Sequence, residues 1–278
     1  MDVAVGIVAQ RDNERAQDLA ANLVDALERA GATVVVDEAT GAAIGTAAVP
    51  VDAMDGRDLV VSIGGDGTLL FVAREVSPAP IIGVNLGEVG FLNAVSPDDA
   101  LGVVTEVVAE LAETGTIEER ELARLQATSA EDDWRLEPAL NEVLVHGPRR
   151  GHGGGATIEV RVDGEEYVES HADGVLVATP TGSTAYNLSE GGPLVHPSAD
   201  ALIVTQMAAS EAMPPLVVEP DDEITLSVSG TDTGYAISDG RNRRRLEPPA
   251  TVSVSLATDP VTLVGPQANF FDGLDKLE

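Results

Sequence analysis

Cysteine is absent from this chain of 278 residues, and lysine occurs once, as Lys276. The lack of cysteine excludes disulfides, thiol nucleophiles and cysteine-ligated zinc. The lack of a lysine after a glycine-rich turn or on an early strand excludes a Walker-type phosphate loop and a protein-kinase site. Apolar runs of membrane-spanning length and the basic start of a signal peptide are also missing, so we expect no membrane anchor and a cytoplasmic location.

Positive charge is scarce: Lys and Arg number 16 against 47 Asp and Glu, a formal net charge of −31 at pH 7. This charge argues against nucleic acid or an anionic membrane surface as a partner. One interpretation is a protein adapted to very high salt, where ions screen the repulsion between carboxylates over about 3 Å at molar concentration. The other is an ordinary acidic enzyme. We favour salt adaptation, because this charge would strain a compact chain at low ionic strength.

Strands and helices alternate in the first third of the sequence. Residues 3–9 form an apolar run typical of a strand buried on both faces, and leucines spaced four apart predict a helix over about 13–30. The stretch 39–57 is predicted to be a loop of small residues. Further buried strands are predicted at 34–36, 59–63 and 81–84. This alternation predicts an α/β domain with a parallel, Rossmann-like sheet.

The pattern changes after about residue 95. Ser96-Pro97 predicts a helix start, and beyond that helix apolar residues alternate with polar ones, as in β-strands with one buried face. Asp163-Gly164 predicts a tight hairpin turn between two such strands. We therefore expect two domains, an α/β domain over 1–94 and a mostly β domain over 95–257.

The first candidate site is the glycine-rich turn Gly64-Gly65-Asp66-Gly67-Thr68, which follows a predicted strand and opens a helix. Its glycines would let a ligand approach the backbone, and free N–H groups at a helix start favour phosphate. The Asp66 carboxylate would repel phosphate, so it suits a general base or a partner of Mg²⁺. The alternative is a tight turn with a capping aspartate. The position of the glycine-rich turn at the carboxyl end of a predicted parallel strand favours a ligand site over a capped turn.

Two further stretches place polar groups next to strands. Asn141-Glu142 begins an apolar run, which by itself indicates inward hydrogen bonding or a solvated strand edge, and we favour the edge. Residues 173–193 form a predicted strand that continues into a loop dense in hydroxyls and glycine. Such a loop suits recognition of ribose, amide and phosphate groups.

Basic residues cluster in two places of this acidic chain. Arg241, Arg243, Arg244 and Arg245 fall within five residues, and Arg149, Arg150 and His152 form a smaller set. Guanidinium groups suit phosphates, and pairing with nearby carboxylates is the equal alternative. The histidines lack metal-ligand spacing, so the residues predict no protein-built metal site.

These residues resemble the NAD kinase family. Gly64–Thr68 is similar to the family's G-G-D-G-T motif, which lipid kinases of the diacylglycerol and sphingoid type share. The more specific resemblance lies in Thr179-Pro180-Thr181-Gly182-Ser183-Thr184-Ala185-Tyr186. It is supported by segments resembling others of the family, namely Gly83–Leu92, Leu140–Val143, Gly191–Pro193 and Phe270–Leu277.

The resemblance implies transfer of a phosphoryl group from ATP or polyphosphate to the 2′-hydroxyl of the adenosine ribose of NAD, with Asp66 as the base. Mg²⁺ or another divalent metal would accompany the donor, whose phosphates would lie on Gly64, Gly65, Gly67 and Thr68. The implied NAD-binding residues are Asp66, Gly67, Asn141, Glu142, His152, His171, Asp173, Thr184, Ala185, Tyr186, Asn187, Leu188, Ser189 and Arg241.

The resemblance also implies that the tail 258–278 completes the α/β domain, and that the protein is a homodimer or homotetramer in which a neighbouring subunit helps to form the site. Two departures from the family pattern leave the choice between NAD and NADH open. Arg241 stands where glutamine is usual, and 206–215 lacks the Pro-His pair that members often carry.

Three functions remain in competition. The first is NAD kinase activity. The second is a lipid kinase that shares the G-G-D-G-T motif, although a net charge of −31 argues against docking on a membrane. The third is a non-catalytic NAD(P) sensor that has kept the binding loops, against which the intact Asp66 argues.

Overall fold

The computed structural model describes residues 2–87, 91–129, 131–151 and 153–274. The chain divides into two compact units: unit 1 is Met1–Leu122 together with Asp259–Glu278, and unit 2 is Ala123–Thr258. No helix in the described stretches is long and apolar enough to cross a lipid bilayer.

Helices and strands are numbered along the chain. The helices are α1 (Glu14–Arg29), α2 (Glu38–Ile44), α3 (Asp66–Val76), α4 (Ala100–Thr114), α5 (Tyr186–Ser189) and α6 (Phe270–Leu274). The strands are β1 (Ala4–Ala9), β2 (Thr33–Asp37), β3 (Ala48–Val49), β4 (Leu59–Gly64), β5 (Ile81–Asn85), β6 (Glu119–Leu122), β7 (Leu125–Ser129), β8 (Glu142–His146), β9 (Ala156–Val162), β10 (Glu165–Ala172), β11 (Gly174–Ala178), β12 (Leu202–Met207), β13 (Leu216–Val218), β14 (Ile224–Ser229), β15 (Gly234–Ser238), β16 (Asn242–Leu246), β17 (Ala250–Leu256) and β18 (Val261–Val264).

Unit 1 is built on a seven-stranded sheet in the order β3-β2-β1-β4-β5-β18-β6. All neighbouring strands are parallel except β18 and β6, which are antiparallel. This confirms the predicted α/β domain with a mostly parallel, Rossmann-like sheet. The chain runs outward from β1 to β3 and then returns to the other side of β1 at β4. Because open α/β sheets bind ligands where the strand order reverses, the carboxyl ends of β1 and β4 are the expected site.

The core of unit 1 contains the apolar face of α1. Asn13 caps this helix by accepting a hydrogen bond from the Ala16 N–H, and Leu19, Leu23 and Leu27 are buried. Val104 and others on the apolar face of α4 lie in the same core. The helical spacing of apolar residues in the sequence therefore reflects burial in one shared core.

The domain boundary expected after residue 94 lies after Leu122 instead. One cause is the packing of α4 in the core of unit 1. The other is the pairing of β6 with β18, in register from Val261 opposite Leu122. The tail expected to complete the α/β domain does belong to unit 1, because β18 lies between β5 and β6.

The prediction that 39–57 is a loop was wrong for part of that stretch. Helix α2 begins after Asp37, whose carboxylate accepts hydrogen bonds from the N–H groups of Ala39 and Thr40. The helix ends at Ile44 and is capped by Gly45, whose φ of 74° favours glycine. The small residues that suggested a loop allow close packing: Thr40 is fully buried, and its hydroxyl accepts a hydrogen bond of 3.1 Å from the Ala9 N–H.

Unit 2 confirms the expected mostly β domain. It contains a five-stranded sheet in the order β10-β9-β14-β17-β7 and a six-stranded sheet in the order β13-β12-β11-β8-β15-β16. All neighbouring strands in both sheets are antiparallel. Alternate residues of the two sheets, among them Val143, Ile158, Val177, Leu226 and Val254, form one apolar core.

Candidate functional site

The glycine-rich turn of unit 1 joins the buried strand β4 to helix α3, which begins at Asp66. A side chain at Gly64 would clash with the Thr68 hydroxyl, so the turn needs glycine there. At Gly65 and Gly67 a Cβ atom would meet nothing within 4 Å, so these glycines leave the backbone accessible from outside. The turn lies at the reversal point of the sheet and offers both exposed backbone and a carboxylate.

Three donors hold the Asp66 carboxylate. The Phe91 N–H donates to Oδ2 at 2.9 Å, the Leu92 N–H donates to Oδ1 at 3.4 Å, and the Asn93 amide donates to Oδ1 at 3.0 Å. An ionised carboxylate has about four lone-pair positions. These contacts orient the group and leave about one position for a further donor, such as a substrate hydroxyl. They also show that Asp66 is not the cap of α3, because its side chain bonds outside the helix.

Asn93 contacts Asp66 in this candidate site, although no sequence motif indicated it. Its side chain is 3% exposed, and its Oδ1 atom has no hydrogen-bond partner among the described residues. It occupies space that a side chain at Gly83 would fill, so the glycine on β5 admits the amide. The segment Gly83–Leu92, which resembles the family, ends one residue before Asn93. This proximity was the one sequence signal that pointed toward Asn93.

Unit 2 places Asn141 and Glu142 at the start of β8, a strand in the interior of the six-stranded sheet. Glu142 is 8% exposed, and its Oε2 atom lacks a partner in the described part of the chain. The favoured interpretation of a solvated strand edge was therefore wrong for Glu142. Burial, followed by the nearby charge of Asp239, raises the pKa of Glu142 to about 7, and a backbone hydrogen bond from Tyr186 opposes this rise.

We predict that Glu142 makes folding stability depend on pH. Because its folded-state pKa of about 7 lies above the ordinary value of 4.5, the folded chain binds more protons than the unfolded chain between these values. This contribution to the free energy of unfolding should fall as pH rises from about 4.5 to 7 and then level off, by about 3 kcal/mol at most. Glu142→Gln removes it, so the variant should gain stability relative to the parent between pH 5 and 8.

Denaturant unfolding of both proteins at pH 5 and pH 8, in molar KCl, measures this difference. Glu169→Gln is the matched control, because Glu169 is exposed on β10 of the same unit. Parallel pH dependence in the parent and the Glu142 variant would contradict the prediction.

The hydroxyl-rich loop after β11 is tied to the start of β8 and to β12. The Thr179 hydroxyl donates to the Leu140 carbonyl at 2.6 Å, and Gly182 lies against the backbone of Asn141, where a Cβ atom would clash. Asn187 is fully buried; its amide donates to two carbonyls and accepts from Thr205 at 2.7 Å. The Asn187 side chain therefore positions this loop.

The predicted unit 2 residues fall into two groups, which lie at opposite ends of the strands of the six-stranded sheet. Glu142 pairs with Ala178 at the end of β11, which brings Asn141 and Glu142 beside the loop that contains Thr184 and Ala185. Asp173 precedes β11 and therefore lies at the opposite end of that strand. A strand of five residues separates its two ends by about 17 Å.

The second group organises the segment 147–155. The Gly151 N–H donates to the Asp173 carboxylate at 2.8 Å, and the His171 ring contacts the Gly154 carbonyl at 2.9 Å. His152 falls in this segment but lies outside the described residues. Arg150 donates to the Tyr186 hydroxyl and lies over its ring, 5.1 Å from the centroid. This contact connects the segment to the loop after β11.

The remaining predicted residues differ in accessibility. Thr184, Ala185 and Leu188 are half-buried, whereas Ser189 and Arg241 are exposed. Arg241 lies in the hairpin between β15 and β16, at the same end of the sheet's strands as Glu142.

The four clustered arginines do not form one patch. Successive residues of β16 point to opposite faces of the sheet. Arg243 lies 3.4 Å from the ring centroid of Tyr235, and Arg244 lies 5.7 Å from that of Trp134. Carboxylate pairing does not account for them either, because no ion pair joins any of the four to an acid in the described stretches.

Comparisons with known proteins identify the family. Residues 5–112 match the model of the ATP-NAD kinase N-terminal domain, and residues 140–265 match that of the ATP-NAD kinase C-terminal domain. A curated NAD kinase of Haloarcula marismortui is 55% identical over 99% of this chain and 100% of its own length. One of Methanoregula boonei is 33% identical over 97% of both chains.

Solved structures show the same fold. A yeast NADH kinase complexed with NADH has a TM-score of 0.87 at 22% identity, over 99% of this chain and 87% of its own. An NAD kinase from Archaeoglobus fulgidus in complex with ATP has a TM-score of 0.78 at 24% identity, over 99% of this chain and 98% of its own. These matches concern NAD and NADH kinases and lend no support to the lipid-kinase alternative. The chain belongs to the NAD kinase family and is an enzyme of that class.

Proposed function

We propose that the protein transfers a phosphoryl group from ATP or polyphosphate to the 2′-hydroxyl of the adenosine ribose of NAD. The observation that carries this proposal is the Asp66 carboxylate, oriented by three donors and retaining about one acceptor position at the accessible glycine turn. This is the arrangement that a base for a single hydroxyl proton requires. It also argues against a sensor without catalysis, because a binding loop alone has no need of an oriented carboxylate.

Positioning supplies most of the rate in this mechanism. Phosphoryl transfer passes through a loose transition state in which the attacking oxygen, the phosphorus and the leaving oxygen are in line. Asp66 accepts a hydrogen bond from the ribose hydroxyl. This bond directs a lone pair of the hydroxyl oxygen toward the phosphorus, and Asp66 takes the proton late in the transfer. The backbone at Gly65 and Gly67 and the hydroxyl of Thr68 bind the donor phosphates, as the helix start favours.

Unit 2 recognises the dinucleotide. Asn141, Glu142 and the loop from Thr184 to Ser189 present amide, carboxyl and backbone groups, which suit the ribose and base edges of NAD. Asp173, His171 and the segment that includes His152 form the second group. Arg241 supplies a positive charge for phosphate.

A divalent cation fits the turn as a companion of the donor. No cluster of three or more histidine or acidic side chains in the described ranges would hold a metal by itself. Mg²⁺ in phosphotransfer sites keeps several waters and needs only one or two carboxylates besides the phosphates. Asp66 is the carboxylate that would face the ion, through one of the waters of the ion, because its remaining acceptor position is assigned to the ribose hydroxyl. When bound, the cation neutralises phosphate charge.

We propose that the protein acts in the cytoplasm as a homodimer or homotetramer. The resemblance of the sequence motifs to those of NAD kinases supports this assembly. The curated relatives at 50–55% identity come from Haloarcula, Halobacterium, Halorubrum and Natronomonas, which supports adaptation to high salt.

A panel of acceptors tests the activity. The protein in molar KCl with Mg²⁺ is offered labelled ATP or polyphosphate together with NAD, NADH or diacylglycerol in micelles. We expect label in NADP, and the relative rates with NAD and NADH identify the preferred form. Label in diacylglycerol alone would favour the lipid kinase, and binding of NAD without any transfer would favour the sensor.

We predict that Arg241→Gln raises KM for NAD or for the donor by about tenfold, because a hydrogen bond to a charged group contributes about 1.5–3 kcal/mol. Initial rates at varied NAD and varied ATP show which substrate is affected. Arg244→Gln is the control: it removes an equal charge from the same cluster, but Arg244 lies on β16, over the ring of Trp134. Equal kinetics in the parent and the Arg241 variant would remove this residue from the site.

A further inference from the structure

Asp239 occupies the corner where β15 leaves the ladder that it forms with β8. Its φ is 44°, in the left-handed region that residues other than glycine seldom adopt. Its N–H donates to the Glu142 carbonyl at 3.0 Å, which continues the ladder one residue beyond Ser238. The backbone of Asp239 is therefore aligned with the start of β8.

The Asp239 carboxylate binds three successive backbone N–H groups. Oδ2 accepts from Leu140 at 2.8 Å, and Oδ1 accepts from Asn141 at 2.8 Å and from Glu142 at 3.1 Å. Hydrogen bonds to an ionised acceptor are about twice as strong as neutral ones. One side chain, 97 to 99 residues away in sequence, thus accounts for all three donors of this segment.

The opposite side of the same segment is held by the loop after β11. The Thr179 N–H donates to the Asn141 carbonyl at 2.9 Å, and its hydroxyl donates to the Leu140 carbonyl at 2.6 Å. The Leu140–Glu142 backbone is therefore fixed from both sides. Its two functional side chains, those of Asn141 and Glu142, take their positions from these contacts.

We propose that Asp239 is a positioning residue of the NAD site, which through these three N–H groups sets where Asn141 and Glu142 meet the dinucleotide. The inference rests on the proposed function, because it assigns Asn141 and Glu142 to NAD. The Asp239 carboxylate is directed at these three N–H groups, so its effect on the dinucleotide passes through Asn141 and Glu142.

The charge of Asp239 gives this role a specific signature. Asp239 is the charged group that faces Glu142 from β15; Tyr186 presents its backbone N–H from the loop, and Ala178 is its partner on β11. Burial comes first, and the Asp239 charge second, among the causes that raise the pKa of Glu142 to about 7. Loss of that charge should lower the pKa of Glu142, so any pH dependence of NAD binding due to Glu142 should move to lower pH.

The test measures NAD affinity by calorimetry without donor, together with kcat and KM from pH 5.5 to 8.5, in molar KCl. Asp239→Asn should weaken NAD binding by about tenfold or more, and the inflection in the pH profile of affinity should shift toward lower pH. Glu142→Gln should abolish that inflection. Asp163→Asn is the matched control: Asp163 also sits at a hairpin corner, with a φ of 49°, and its carboxylate accepts the Glu223 N–H at 2.9 Å, but on the five-stranded sheet.

A second variant keeps the inference testable if Asp239→Asn does not fold. Asp239→Gly removes the carboxylate, and glycine adopts the left-handed backbone without strain. NAD affinity within twofold of the parent and an unshifted inflection, in a folded Asp239 variant, would overturn the inference. If the parent itself neither binds nor phosphorylates NAD, the proposed function fails instead, so the two failures are distinct.

Discussion

Replacing Asp66 with asparagine is expected to lower kcat by about 10²–10⁴-fold, the usual contribution of a general base. The substitution keeps the size of the side chain and removes its charge and its basicity. The surrounding donors tolerate it, because a rotated Asn93 amide would turn its unpartnered Oδ1 toward the new N–H₂ group. NAD should still bind, so the loss should appear in kcat. Single-turnover measurements with saturating ATP and NAD report on this step.

The matched control for this experiment is Asp58→Asn. Asp58 precedes β4, whereas Asp66 follows it, and its carboxylate accepts the Ala4 N–H at 2.8 Å. This variant should keep kcat near that of the parent. If Asp66→Asn keeps turnover within a few-fold of the parent, the base lies elsewhere, and Glu142 and Asp173 become the next candidates.

The melting temperature should rise by more than about 10 °C between dilute buffer and molar KCl. Even if each of the 16 basic residues paired with one acid, 47 − 16 = 31 carboxylates would remain without a cation. Their mutual repulsion opposes the compact state, and salt reduces its range from about 30 Å at 10 mM to about 3 Å at 1 M. A shift of about 10 °C corresponds to a few kcal/mol for a chain of this size.

Helix α4 offers a test of whether repulsion between carboxylates causes the salt dependence of the melting temperature. Glu106 and Glu110 are exposed on it, one turn apart, where like charges destabilise a helix by about 0.2–0.5 kcal/mol. Changing both to glutamine should raise the melting temperature in dilute buffer more than in molar KCl. Sucrose at equal osmolality separates charge screening from general solute effects. A melting temperature that stays flat across the KCl series would contradict the salt interpretation.

Local signals in the sequence were sufficient for α1, for the buried strands of unit 1 and for the glycine turn, but not for α2. The period of apolar residues identified α1 and the buried strands, and three glycines around Asp66 at a strand end indicated the turn. These features depend on residues a few positions apart, and the sequence displays them directly. The domain boundary did not follow, because the place of α4 depends on a core built from distant strands.

The contacts that orient the site residues were beyond prediction from the sequence. The donors to Asp66 lie 25 to 27 residues away, and those to Asp239 lie 97 to 99 residues away. Nothing in the composition around Asp239-Gly240 distinguishes a hairpin corner from a carboxylate that binds three N–H groups. The arginine cluster shows the opposite case, in which residues close in sequence are apart in space. Successive residues of a strand lie on opposite faces of the sheet, so the four arginines do not form one patch.

The position of β18 has a consequence for the order in which the protein is made. Unit 2 is one uninterrupted stretch of chain, so all of it can emerge and fold before synthesis ends. Unit 1 cannot complete its sheet before then, because β18, the strand between β5 and β6, follows unit 2 in the chain. Phe270, which follows this strand, packs on Phe91 with ring centroids 6.0 Å apart, and the Phe91 N–H holds Asp66. The contacts around Asp66 are therefore completed only after the whole of unit 2 has been synthesised.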